Sequence, residues 1–174
     1  MKKYGLAMIT ILLLLVGLGG SVLGQTFVFT DPTNLYSTMI WDQWVYQAHH
    51  STPSLVVFYG EGDYDLLYVE TLEGVSDTSV QAFAERSLKL YQEPGGLKDF
   101  VLEVPLSSIN IAGRWGLSCA YTYMDSRANR LWEYRIFVLL PGNRGLSLAL
   151  SSDDSWVKDG LVVQDMVEYW RWLF

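Results

Sequence analysis

Apolar and polar residues alternate at period two through the second half of the chain, and this spacing predicts strands. Arg114–Met124 puts Trp115, Leu117, Cys119, Tyr121 and Tyr123 on one face, with Ser118, Ala120 and Thr122 opposite. Arg130–Leu140 puts Trp132, Tyr134, Ile136, Val138 and Leu140 on one face, with Glu133 and Arg135 opposite. Gly145–Ser151 alternates Leu146, Leu148 and Leu150 with Ser147, Ala149 and Ser151, and Phe100–Leu106 carries Phe100, Leu102, Val104 and Leu106. The short links Asp125–Asn129 and Pro141–Asn143 join the last three of these segments into an antiparallel meander. Nearer the start, Thr26–Thr30 is a short strand stopped by Asp31-Pro32. Ser54–Gly60 and Asp65–Thr71 form a hairpin around Glu61–Tyr64. Met39–His49 is aromatic and fits neither period well.

Two segments follow the helical period instead. In Thr78–Tyr91 the stripe is Val80, Phe83, Ala84, Leu88 and Tyr91. Thr78 and Gln81 suit a capping box, Glu85 and Lys89 an i,i+4 ion pair, and Glu93-Pro94-Gly95-Gly96 a stop. A closing helix is expected over Leu161–Leu173, with Val163, Met166, Val167, Trp170 and Phe174 on its stripe. On that helix Trp172 faces away from the core, which makes it a candidate contact for a partner or a membrane surface. Strands with period-two faces and two amphipathic helices together define an α+β sandwich, an antiparallel sheet flanked by helices.

Charge narrows the function. The 174-residue chain has 12 Lys and Arg against 19 Asp and Glu, a net −7. Lys2 and Lys3 lie in the leader, so ten basic residues face nineteen acids in the rest. Nucleic acid is a poor partner for such a surface, because its phosphates need Lys and Arg to displace counterions. A single cysteine excludes an internal disulfide and any multi-cysteine metal cluster. At the N-terminus, Lys2-Lys3, the apolar run Gly5–Val16 and the exit Val22-Leu23-Gly24 read as a signal segment cut before Gln25. The competing reading is an uncleaved anchor, since Tyr4–Leu23 supplies about 20 uncharged residues, enough to span a bilayer. Residues 1–24 are thus a leader and residues 25–174 one domain. Both readings place that domain outside the cytoplasm.

The element order resembles the PsbP-like superfamily, the extrinsic photosystem II proteins and DcrB-like exported domains. The likeness rests on the strand ending Phe29-Thr30-Asp31-Pro32, then a hairpin leading to the helix Thr78–Tyr91. It continues with Ile109-Asn110-Ile111-Ala112-Gly113-Arg114-Trp115-Gly116, similar to the family's "i-x-i-x-G" entry to a long central strand, and with a late aromatic in the closing segment. The resemblance implies a PsbP-like α/β/α sandwich acting as a non-catalytic binding or assembly factor. It carries no catalytic motif to this chain.

Candidate chemistry is sparse. His49-His50 with Glu61, Asp63 and Asp65 is the donor set for a metal-dependent hydrolase, the alternative function. Adjacent histidines in a strand point to opposite faces, however, and the acidic turn lacks the ligand series of an EF-hand. No tight divalent site is expected. Gly116-Leu117-Ser118-Cys119-Ala120 continues an alternating strand and so is no nucleophile elbow. No cofactor is indicated. Recognition is left to Arg114 and Arg144, which the meander brings to one end of the sheet, where paired guanidiniums suit a carboxylate or phosphate. The expected partner is a protein at the cell envelope. A membrane-tethered structural protein that keeps its leader is the third reading.

Overall fold

The computed structural model describes residues 25–174. The leader and its cleavage or retention lie outside them. Among the described residues, no helix is long and apolar enough to cross a membrane.

The described residues form ten strands and two helices. Strands β1 (Thr26–Thr30) and β2 (Tyr36–Trp41) form a hairpin, closed by Asp31, whose buried carboxylate accepts from the Thr33 and Leu35 N–H groups. After β3 (Val45–Tyr46), β4 (Leu55–Tyr59) and β5 (Leu66–Glu73) comes helix α1 (Val80–Gln92). The meander β6 (Lys98–Ile111), β7 (Arg114–Met124), β8 (Arg130–Leu140) and β9 (Arg144–Ser152) follows. A 3₁₀ turn at Ser155–Asp159 leads to α2 (Leu161–Glu168), and β10 (Arg171–Trp172) closes the chain. The main sheet is antiparallel with order β3-β4-β5-β9-β8-β7-β6, and a smaller sheet has order β1-β2-β10. The α+β class and the meander agree with the sequence pattern.

Both faces of the main sheet are buried, and they are covered differently. One face presents Phe58, Leu67, Ile136, Val138, Leu146, Leu148 and Leu150, and the small sheet and α2 cap it with Phe29, Tyr36, Ile40, Val163 and Met166. The other face presents Leu117, Cys119, Tyr121 and Phe137 to Phe83, Ala84 and Leu88 of α1. Helix α1 approaches very closely: a Cβ on Gly145 would lie 2.6 Å from the Phe83 ring.

Four details depart from the pattern. The cap of α1 is Ser79, whose hydroxyl accepts from the Ala82 N–H, and not Thr78 in a capping box. Glu85 accepts from Gln81 and makes no ion pair with Lys89. Strand β6 runs well beyond Leu106, and register shifts break its alternation. Phe100 and Leu106 therefore pack toward α1 while Val104 packs on the opposite face, and Leu102 is exposed. The closing helix stops at Glu168. Trp170 then stacks on Tyr36, with centroids 4.2 Å apart and planes 14° from parallel, and Trp172 pairs with Tyr36 across β10–β2. Trp172 is thus a strand residue, and its helical projection does not apply.

Replacing Ser79 with Ala should lower unfolding stability by about 1 kcal/mol, while Thr78→Ala should change it little. Urea denaturation of the two variants checks this, and a larger loss at Thr78 would restore the capping box.

Candidate functional site

Arg114, Arg144 and Trp172 converge at one end of the sheet. The β6–β7 hairpin turns through Ala112 and Gly113, both at positive φ, with the Gly113 N–H held by the Asn110 side chain, and Arg114 follows directly. The β8–β9 turn returns the chain alongside, since Leu140 pairs with Arg144. Both guanidiniums lie over the Phe174 ring, its centroid 4.9 Å from Arg114 Cζ and 5.9 Å from Arg144 Cζ. Arg114 also lies 5.5 Å from the Trp172 ring. Among the described residues neither arginine forms an ion pair, with Asp99, Asp153 or any other acid. Phe174 is 54% exposed. Trp172 is half-buried, donates its indole N–H to the Ile111 carbonyl and packs on Trp170, so it serves as a floor for Arg114. A cleft of about 770 Å³, lined in part by Arg144, Phe174, Glu73 and Asn34, opens beside this end.

The other candidates do not assemble. His49 and His50 are exposed in the β3–β4 connection, and the His50 ring leans on Tyr59. In the acidic turn, Asp65 is occupied in closing the loop by accepting from the Gly62 N–H. Among the described residues, no three His, Cys, Asp or Glu side chains are grouped as metal ligands. The metal-dependent hydrolase has no assembled donor set there. Ser118 and Cys119 are buried in mid-strand.

A third constellation escapes the sequence pattern. Glu133 and Arg135 project from β8 toward α1, both almost fully buried, and form an ion pair at 2.8 Å. The Arg135 guanidinium donates Nε–H to Glu133, Nη1–H to Tyr91 and Ser147, and Nη2–H to Tyr68. Tyr68 and Tyr121 donate their hydroxyls to Glu133. The Tyr68 and Tyr91 rings also lie 5.2 and 5.1 Å from Arg135 Cζ. This cluster floors a cavity of about 430 Å³ with walls of Leu55, Val57, Leu66 and Leu97.

Burial raises the Tyr68, Tyr91 and Tyr121 hydroxyls above their usual range, and the Glu133 carboxylate adds to the effect. Burial works most strongly against the Arg135 charge, but the Glu133 carboxylate together with Tyr68, Tyr121 and Tyr91 outweighs it and holds the guanidinium protonated. Burial also pushes the Cys119 thiol up to about 12.

An antiparallel sheet with α1 on one face, and α2 with a small sheet on the other, defines the PsbP-like class. Solved structures agree. The Ran-binding protein Mog1p of Saccharomyces cerevisiae matches with a TM-score of 0.63 at 8% identity, over 86% of this chain and 96% of its own. The cyanobacterial PsbP of Synechocystis matches with 0.61 at 15% identity, over 88% and 96%. LpqN of Mycobacterium tuberculosis, involved in cell envelope biogenesis, matches with 0.53 at 13% identity, over 84% and 89%. No family model matches the sequence, and no curated protein does either. The chain therefore has a PsbP-like fold, which it shares with Mog1p, and at these identities the likeness is one of fold.

Two outcomes follow from the buried cluster. Arg135→Ala leaves the Glu133 charge buried and uncompensated, so it should cost about 3–5 kcal/mol in denaturant unfolding, far more than removing exposed Arg86. Stability should also fall with alkali. Cys119 ionises near 9 when unfolded and only near 12 when folded, and the tyrosines behave alike. The unfolded chain then holds fewer protons than the folded one, so unfolding free energy declines as pH rises above about 9. Denaturation midpoints at pH 7, 9 and 10.5 check this, and Cys119→Ala should blunt the first part of the decline.

Proposed function

We propose that the protein is a non-catalytic binding or assembly domain, exported by residues 1–24, that docks a protein partner at the cell envelope through the Arg114–Arg144–Phe174 end. One observation carries this reading. In a strongly acidic chain, two guanidiniums that form no ion pair among the described residues lie over a single exposed aromatic ring. Arg and aromatic side chains are the residues that most often anchor protein interfaces. A carboxylate-bearing segment of a partner meets two fixed forks there, with Phe174 as an apolar contact beside them. The fold adds support, since Mog1p is a Ran-binding protein and LpqN takes part in cell envelope biogenesis.

The test begins with a partner recovered from envelope extracts by cross-linking to the exported protein. Arg114→Ala combined with Arg144→Ala should weaken its binding at least about tenfold, and raising salt should weaken wild-type binding in the same direction. Equal affinity in wild type and double mutant rejects this end as the contact. Trp172→Phe should act through Arg114, with a smaller loss that disappears in the Arg114→Ala background. Sequencing the N-terminus of the exported product decides the tether: a start at Gln25 supports cleavage, and an intact leader supports the membrane-tethered structural reading.

A further inference from the structure

The cavity beneath α1 offers a ligand more acceptors than donors. A guanidinium has five N–H donors. Four of those of Arg135 are taken, by Glu133, Tyr68, Tyr91 and Ser147, and Nη2 also lies 2.8 Å from Glu133 Oε1 in the ion pair. Acceptors remain. Among the described residues the hydrogen bonds from Tyr68, Tyr121 and Arg135 all reach Glu133 Oε1, and although the Tyr123 hydroxyl also lies beside this carboxylate, Oε2 keeps acceptor capacity towards the cavity. Glu70 also lines it, half-buried, with neither hydrogen bond nor ion pair to its carboxylate among the described residues. The lining thus carries two carboxylates against one guanidinium, itself paired with Glu133. Its other surfaces are aliphatic side chains and the rings of Tyr68, Tyr91, Tyr121 and Tyr123. The floor is buried and the rim half-buried, so a small molecule can enter.

We propose that this cavity binds a small organic amine, an ammonium group on an apolar or aromatic body. The ammonium donates to Glu70 and Glu133 Oε2 beside the tyrosine rings, which attract a cation. Leu55, Val57, Leu66 and Leu97 take the body, and the volume lies within the range of small-molecule pockets. An anion meets two carboxylates beside a guanidinium already paired with one of them. A neutral counterpart loses the charge-assisted bonds while still stripping water from the carboxylates. The site is remote in function from the arginine end and does not depend on a protein partner.

Isothermal titration of the purified protein with 2-phenylethylamine tests it, beside 3-phenylpropionate and 2-phenylethanol as anionic and neutral counterparts. The expected result is saturable binding of the amine, at least about tenfold weaker for the alcohol and absent for the acid. Glu70→Gln should weaken the amine at least about tenfold, and Leu97→Trp, which fills the cavity, should abolish binding, with thermal melts confirming that both variants fold. Glu70 makes no bond that the fold needs, so its variant keeps the test clear of the buried ion pair. No saturable amine binding to wild type overturns the proposal, as does equal affinity for the alcohol or acid, or an unchanged affinity in Glu70→Gln. Arg114→Ala and Arg144→Ala should leave amine binding intact.

Discussion

A guanidinium buried at the centre of a sheet stays charged only when its neighbours supply an opposite charge and acceptors for its N–H groups. Arg135 on β8 draws these from β5, α1 and β9 as well as from its own strand, through Tyr68, Tyr91, Ser147 and Glu133. Tyr121 on β7 completes the shell by donating to the same carboxylate. One cation thereby fixes how α1 lies over the sheet at Tyr91, while Phe83 against Gly145 fixes it at the other end. Apolar packing alone leaves a helix some freedom to slide. Directional bonds to a buried charge do not, because each slipped position strands a polar group.

That constraint also divides labour between the two faces of the sheet. The face under the small sheet and α2 is almost wholly aliphatic and aromatic and works as a sealed core. The face under α1 combines an apolar half around Phe83, Leu88 and Phe137 with a polar half that adjoins the tyrosine-lined cavity. Surface recognition falls elsewhere, at the hairpin ends where Arg114 and Arg144 emerge.

The meander was legible in the sequence because alternation and short links leave a single antiparallel pairing. The nearness of Arg114 and Arg144 followed from that pairing too. The buried ion pair was not read, although a signal existed: Tyr121 pairs directly with Glu133, and Cys119 with Arg135. Residues opposite each other across a ladder share a face, so the apolar face assigned to β7 already contained both charges. What alternation along one strand does not reveal is whether its polar side meets water or a helix. Tyr68 and Tyr91 were invisible as partners, since only tertiary packing brings them to β8. The closing segment failed for a different reason. Trp170, Trp172 and Phe174 repeat at period two and touch in sequence as neighbouring rings, yet the helical stripe upstream invited one continuous helix. Tertiary demand for a third strand beside β2 decided the matter.

The order in which the small sheet is assembled has a kinetic meaning. Hairpin β1–β2 lies at the start of the domain, but its far edge is completed by β10, and Thr38 is tied to Met166 across a separation of 128 residues. Contacts of that span form only after most of the intervening chain has been ordered, because loop closure must precede any gain from the contact. Until then the aliphatic face of the main sheet lacks its cover, and so does the hairpin's own inner face. Late closure of the small sheet thus leaves two matching apolar surfaces uncovered until they meet. In that interval a chaperone, or a second copy of the chain, competes with the native closure.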